Sequence, residues 1–174
     1  MPKLQSVLLL ILMLAGGCFF EPYRPTAVFD LEVSPVGVYR EFRVLELLNN
    51  SSSGSRIQTR FADGRVVADP YNRWALPPGE LVANALNRSF TLSGVVSPLP
   101  ITGAVEVFEV DRPERVFRLA GYLTFPGERE REFRFQITSP VEGEDAATVA
   151  AAASRAVREL AESYVKAVPA GRVP

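Results

Sequence analysis

Carboxylates, hydroxyls and one thiol are the side chains from which chemistry could be built here, because histidine is absent and cysteine occurs once, at Cys18. Without histidine the commonest general base and metal ligand are missing, and Ser-His-Asp and Cys-His nucleophile pairs are excluded. A single cysteine forms neither an internal disulfide nor a thiolate zinc site. The nearest approach to a paired-carboxylate site is Glu106, Glu109 and Asp111. Strand alternation splits these three between sheet faces, a pattern of solvated charge and not of an acid–base pair. Ser51, Ser52 and Ser53 have no histidine to activate them and read as a polar loop. The run Glu128-Arg129-Glu130-Arg131-Glu132 alternates in sign, as a solvated edge does where edge-to-edge pairing is discouraged. Neither of the Gly-rich phosphate-binding patterns occurs. Lys plus Arg total 19 against 20 Asp plus Glu, a net charge of −1, which argues against nucleic acid as a partner. The expectation is a chain with no catalytic residues, no cofactor and no metal.

The thiol has a different context. Lys3 is followed by the apolar run 7–14, then Ala15-Gly16-Gly17, then Cys18. A basic start, an apolar stretch and small residues form a secretory signal, and the apolar run is too short for a spanning helix, which needs about 20 residues. The sequence Leu14-Ala15-Gly16-Gly17-Cys18 resembles a bacterial lipobox, in which the cysteine is acylated and becomes the first residue of the mature chain. That resemblance implies a signal peptide over 1–17, lipidation at Cys18 and a tether over 18–26 that two prolines, Pro22 and Pro25, keep extended. Several acyl chains on one cysteine give stable membrane attachment. Phe19, where inner-membrane lipoproteins carry Asp, points to the outer membrane and to a domain facing the periplasm.

From residue 27 the pattern is that of a domain. Ala27, Phe29, Leu31 and Val33 share one face of a strand, and residues 42–48 read as a second strand buried on both faces. Residues 49–55 are a polar loop. Ile57, Thr59 and Phe61 alternate, Asp63-Gly64 supplies a two-residue hairpin turn, and Val66-Val67 begins the return. Pro77-Pro78-Gly79-Glu80 opens a helix that ends near Leu92. Val95-Val96 is a short strand and Pro98 and Pro100 mark a loop. Residues 105–110, then Phe117 to Phe125, then Phe133, Phe135 and Ile137 form a three-strand meander, with turns at Asp111-Arg112-Pro113-Glu114 and Pro126-Gly127. A helix with an apolar stripe closes the domain over 145–168, leaving a tail at 169–174. The expected fold is α+β, with an antiparallel or mixed sheet and two helices on one face of a single domain spanning 27–168.

Tyr71-Asn72-Arg73-Trp74 holds the sole tryptophan and precedes the first helix. Trp74 is expected to cap the sheet–helix junction. The alternative is partner contact by Tyr71, Arg73 and Trp74, since these residue types dominate binding hot spots. A lipobox cysteine, an early strand, a hairpin returning through Gly64-Arg65-Val66, and Tyr71-Asn72-Arg73-Trp74-Ala75-Leu76-Pro77-Pro78 at a helix start resemble the ABC-type transport auxiliary lipoproteins, the PqiC-like intermembrane transport lipoproteins. The resemblance extends to the alanine-rich closing helix. It implies a non-catalytic accessory subunit of an ABC/MCE-type transport system, the system as a whole moving lipids or hydrophobic compounds across the bacterial envelope. Its partners would be an inner-membrane ABC transporter permease and ATPase and an MCE-type substrate-binding protein. An outer-membrane assembly or structural lipoprotein is the alternative reading.

Overall fold

The computed structural model describes residues 23–36, 42–90, 99–125 and 131–167. The proposed signal peptide, Cys18, the strand at Val95-Val96, the turn at Pro126-Gly127 and the tail at 169–174 lie outside them.

Among the described residues, seven strands and two helices follow one another as β1 (Ala27–Phe29), β2 (Phe42–Asn49), β3 (Arg56–Arg60), β4 (Val66–Trp74), α1 (Pro78–Phe90), β5 (Leu99–Asp111), β6 (Val116–Phe125), β7 (Arg131–Pro140) and α2 (Ala146–Ala167). They form one α+β domain around a mixed seven-stranded sheet in the order β1-β4-β3-β5-β6-β7. Strand β2 joins β5 in parallel through Phe42↔Leu99 to Asn49↔Val105. Farther along β5, β3 pairs in parallel at Thr59↔Val110 and Arg60↔Asp111. Strands β5, β6 and β7 are an antiparallel meander. Both helices pack on the same face, which buries Phe117, Leu119, Leu123, Phe135 and Ile137 and half-buries Phe133.

The core has two aromatic centres. Trp74 meets Phe108 edge-on at 5.1 Å, and Phe108 meets Phe117 at 4.8 Å. Phe42 of β2 touches Phe90 of α1 and Tyr164 of α2 at 5.5 and 5.3 Å, and Phe133 of β7 touches Tyr164 at 5.6 Å. Edge-to-face pairs of this kind add to what their buried area alone contributes. The alanines of α2 bring the helix close to the sheet, and Ala152, Ala153, Ala156 and Ala161 are fully enclosed.

Four local expectations are corrected. β1 ends at Phe29 and does not continue through Leu31 and Val33. Asp30 Oδ1 accepts the Leu31 N–H, and the Glu32 N–H goes to Ser154 Oγ on α2. Residues 30–36 therefore leave the sheet and strap the two helices, where Arg88 donates to the Leu31 carbonyl and the Val36 N–H bonds Ser89. β2 is buried on one face only, with Leu45 at 61% and Leu48 at 50% exposure, because the helices cover a single side of the sheet. The β3–β4 loop is Ala62-Asp63-Gly64, closed by Phe61 N–H to Arg65 O and Gly64 N–H to Phe61 O. Gly64 takes the left-handed conformation (φ 83°) that such a loop requires. Pro100 lies inside β5, not in a loop. It is tolerated because β6 pairing begins only at Thr102, so its missing N–H leaves no gap on that side.

Candidate functional site

The uncovered face of the sheet carries the polar residues, and its carboxylates are arranged differently from the sequence expectation. A register shift between Val105 and Val107 resets the alternation of β5. As a result Glu106 reaches the same face as Glu109 and Asp111, and its carboxylate lies 4.0 Å from Arg134. The three acids are nevertheless not brought together as a pair. Arg60 clamps Glu109 with Nε at 2.6 Å from Oε1 and Nη2 at 3.2 Å from Oε2. Arg118 reaches Asp111 at 3.3 Å, and Arg134 bonds Glu132 at 2.9 Å while stacking on Tyr122. The Glu109 hydrogen bond, then its charge, raises the Arg60 pKa further above its ordinary value. Held by a bidentate guanidinium, Glu109 ties β5 to β3. Among the described residues no cluster of three His, Cys, Asp or Glu side chains is placed to hold a metal ion.

The tryptophan segment is shaped by Asp69. One oxygen of Asp69 accepts from the N–H groups of Tyr71 and Asn72, and the other from the Asn72 amide, at 2.8 to 2.9 Å. Between Arg56↔Arg73 and Gln58↔Ala68 the β3–β4 register shifts, and residues 69–72 bulge from the ladder. Beyond the bulge the chain is gripped on both sides: the Trp74 N–H bonds Ser55, and the Ala75 N–H bonds Phe29. Trp74 is 1% exposed. Its indole fills the core and presents nothing to a partner. Tyr71 is half-buried under Arg24, which stacks on its ring at 5.6 Å, and Arg73 is exposed beside Arg56 in the β3–β4 pairing. The three candidate residues thus divide, one inside and two on the surface, where Tyr71 and Arg73 belong to a basic aromatic patch with Arg24 and Arg56. The contribution of Arg24 and Arg56 is absent from the sequence signal, because both lie far from Arg73 along the chain.

An open groove of about 710 Å³ runs between the strap and α2. Asp30 and Glu32 line it from the strap and Arg155 and Arg158 from α2, with buried Leu31, Ala150 and Ser154 between them. Arg155 is tied to Ser139 and the Pro140 carbonyl, and Arg158 to Glu162. Among the described residues no helix is long and apolar enough to cross a membrane.

These features define an α+β domain that offers surface patches and a shallow groove. No protein-family model matches the chain, and no curated protein matches it in sequence. Solved structures do. A crystal structure of an uncharacterized protein superposes with a TM-score of 0.67 at 11% identity, covering 82% of this chain and 97% of its own. The crystal structure of protein XCC0632 from Xanthomonas campestris, assigned to DUF330, gives a TM-score of 0.62 at 18% identity, covering 80% and 92% respectively. At such identities the likeness is one of fold.

Proposed function

We propose that this chain is a non-catalytic accessory lipoprotein of an ABC/MCE-type transport system that moves lipids or other hydrophobic compounds across a bacterial envelope. In this reading acylated Cys18 anchors the domain to the periplasmic side of the outer membrane. Its partners are the inner-membrane permease and ATPase and an MCE-type substrate-binding protein. One observation above the others supports it. The segment from Tyr71 to Pro78, which carries the resemblance to the auxiliary lipoproteins, is a continuous device that runs from the Asp69 bulge through a core-anchored Trp74 into α1. The same device leaves Tyr71 and Arg73 at the surface beside Arg24, only six residues after Cys18.

The test is acylation and capture in one strain. Wild-type chain should incorporate a clickable fatty acid and retain the permease and MCE components after detergent solubilisation, and Cys18→Ser should lose the label and the membrane anchorage. Arg73→Glu should keep the label and the fold and release the transporter. Label on the Cys18→Ser chain would overturn the anchor. Capture of outer-membrane assembly components in place of a transporter would give the function to the alternative reading.

A further inference from the structure

The sheet has three terminal edges among the described residues, and two of them are closed to further strands. β1 is only three residues long. β2 is covered by α1, whose Asn87 bonds both backbone groups of Val44 and whose Gly79 lies against the Leu47 carbonyl. β7 is different. It is a ten-residue strand whose pairing with β6 runs from Val116↔Pro140 to Phe125↔Arg131 without a register shift. It has no register shift and no proline before Pro140. The alternating run 128–132 is expected to discourage edge pairing, but the charges described on β7, Glu132 and Arg134, stand on the uncovered face and neutralise each other at 2.9 Å. Long, flat edges of this kind are templates for another strand unless a device blocks them. Two hydrogen bonds show which groups are open. The Val141 N–H bonds Arg115, and the Pro140 carbonyl is taken on the other side by Arg155. Antiparallel alternation then turns the backbone of Phe133, Phe135, Ile137 and Ser139 toward β6, and that of Glu132, Arg134, Gln136 and Thr138 outward.

We infer that β7 is an interface for a second copy of this chain, paired antiparallel about a two-fold axis at Phe135. The register follows from the residues. With the axis at Phe135, all four outward residues find ladder partners, Arg134 with Gln136 of the second copy and Glu132 with Thr138. Half-buried Phe133 meets Ile137 on the helix side, completing its burial. Moving the axis to Arg134 would set two arginines face to face, which is destabilising in a sheet. Moving it to Gln136 loses the Glu132 pairing. The two-fold also keeps the helices of both copies on one side, so the two sheets join as one with a common uncovered face.

Sedimentation of the full chain, as the expressing cell processes it and in density-matched detergent, tests this with substitutions on the exposed face. Gln136→Glu places a carboxylate opposite Arg134 in both symmetric pairs and should tighten the dimer by roughly 2- to 25-fold. Gln136→Lys should weaken it to a similar degree. Gln136→Pro removes an outward N–H that no described residue uses, so the monomer should keep its circular dichroism while the dimer is lost. A chain that sediments as a monomer at every concentration overturns the inference. So does a dimer indifferent to the sign of the charge at 136.

Discussion

The side-chain amide of Asn87 stands in for a neighbouring β-strand against Val44. Val44 donates its N–H to Asn87 Oδ1 at 2.8 Å, and Asn87 Nδ2 donates to the Val44 carbonyl at 3.0 Å. A helix residue thereby satisfies both open backbone groups at the middle of β2, and α1 closes this edge as well as covering the core. Removing the amide should leave a part-buried donor and acceptor unpaired. Asn87→Ala should cost about 1–3 kcal/mol in denaturant melts. Asn87→Asp should be at least as costly at neutral pH, because a carboxylate then faces a carbonyl. That excess should shrink relative to wild type as the new carboxyl protonates below about pH 4, and a pH-independent difference would refute the bracket.

Gly79 makes the same closure possible by having no side chain. A Cβ there would lie 2.2 Å from the Leu47 carbonyl oxygen and 3.1 Å from the Asn49 nitrogen, both backbone atoms that cannot swing aside. Helix propensity alone would reward Gly79→Ala by up to about 1 kcal/mol. The overlap should reverse that sign and leave a net loss of about 1–3 kcal/mol. A variant as stable as wild type would mean that α1 can shift away from β2 without penalty.

How far the sequence revealed this arrangement depends on the range of the interactions that decide each part. The meander and α2 are legible because Phe117, Leu119, Phe133 and Phe135 alternate, and Val149 to Tyr164 recur at helical spacing, as one covered face demands. The strap is not legible. Leu31 and Val33 continue the alternation of β1, but Ser154, more than a hundred residues away, captures the Glu32 N–H and pulls the chain off the sheet. Glu106 fails for a related reason, since a bulge inverts the period that assigns it a face. In the candidate site, the junction role of Trp74 is readable from its place before Pro77-Pro78. The grouping of Arg24 and Arg56 around Tyr71 and Arg73 needs the tertiary pairing of β3 with β4.

Trp74 supplies a prediction that separates packing from recognition. With 1% exposure and edge-on contacts to Phe108 and Phe117, Trp74→Ala should cost about 3–5 kcal/mol. Its indole N–H has no acceptor among the described residues. Trp74→Phe should therefore cost less than about 2 kcal/mol, because the lost area is partly offset by removing a buried, unpaired donor. Partner binding per folded molecule should be unchanged in Trp74→Phe and reduced in Arg73→Glu. Thermal melts and titrations on the same preparations check both, and the opposite pattern would move recognition back to the indole.

Tyr164 sets the alkaline limit of stability. Its ring is fully enclosed between Phe42, Phe90 and Phe133, and burial raises the phenol well above its ordinary value of 10. In the unfolded chain the same phenol ionises near pH 10, while the folded protein holds the proton. Above that pH the unfolded state binds fewer protons than the native state, so stability falls as pH rises, by up to roughly 1.4 kcal/mol per unit. Below it the contribution is fully present. Tyr164→Phe has no proton to lose at this site and should show a shallower decline between about pH 9 and pH 11. The comparison isolates one phenol among the five in the chain. Urea midpoints for the two proteins across that range decide the matter, and parallel curves would mean that Tyr164 ionises in place without opening the core.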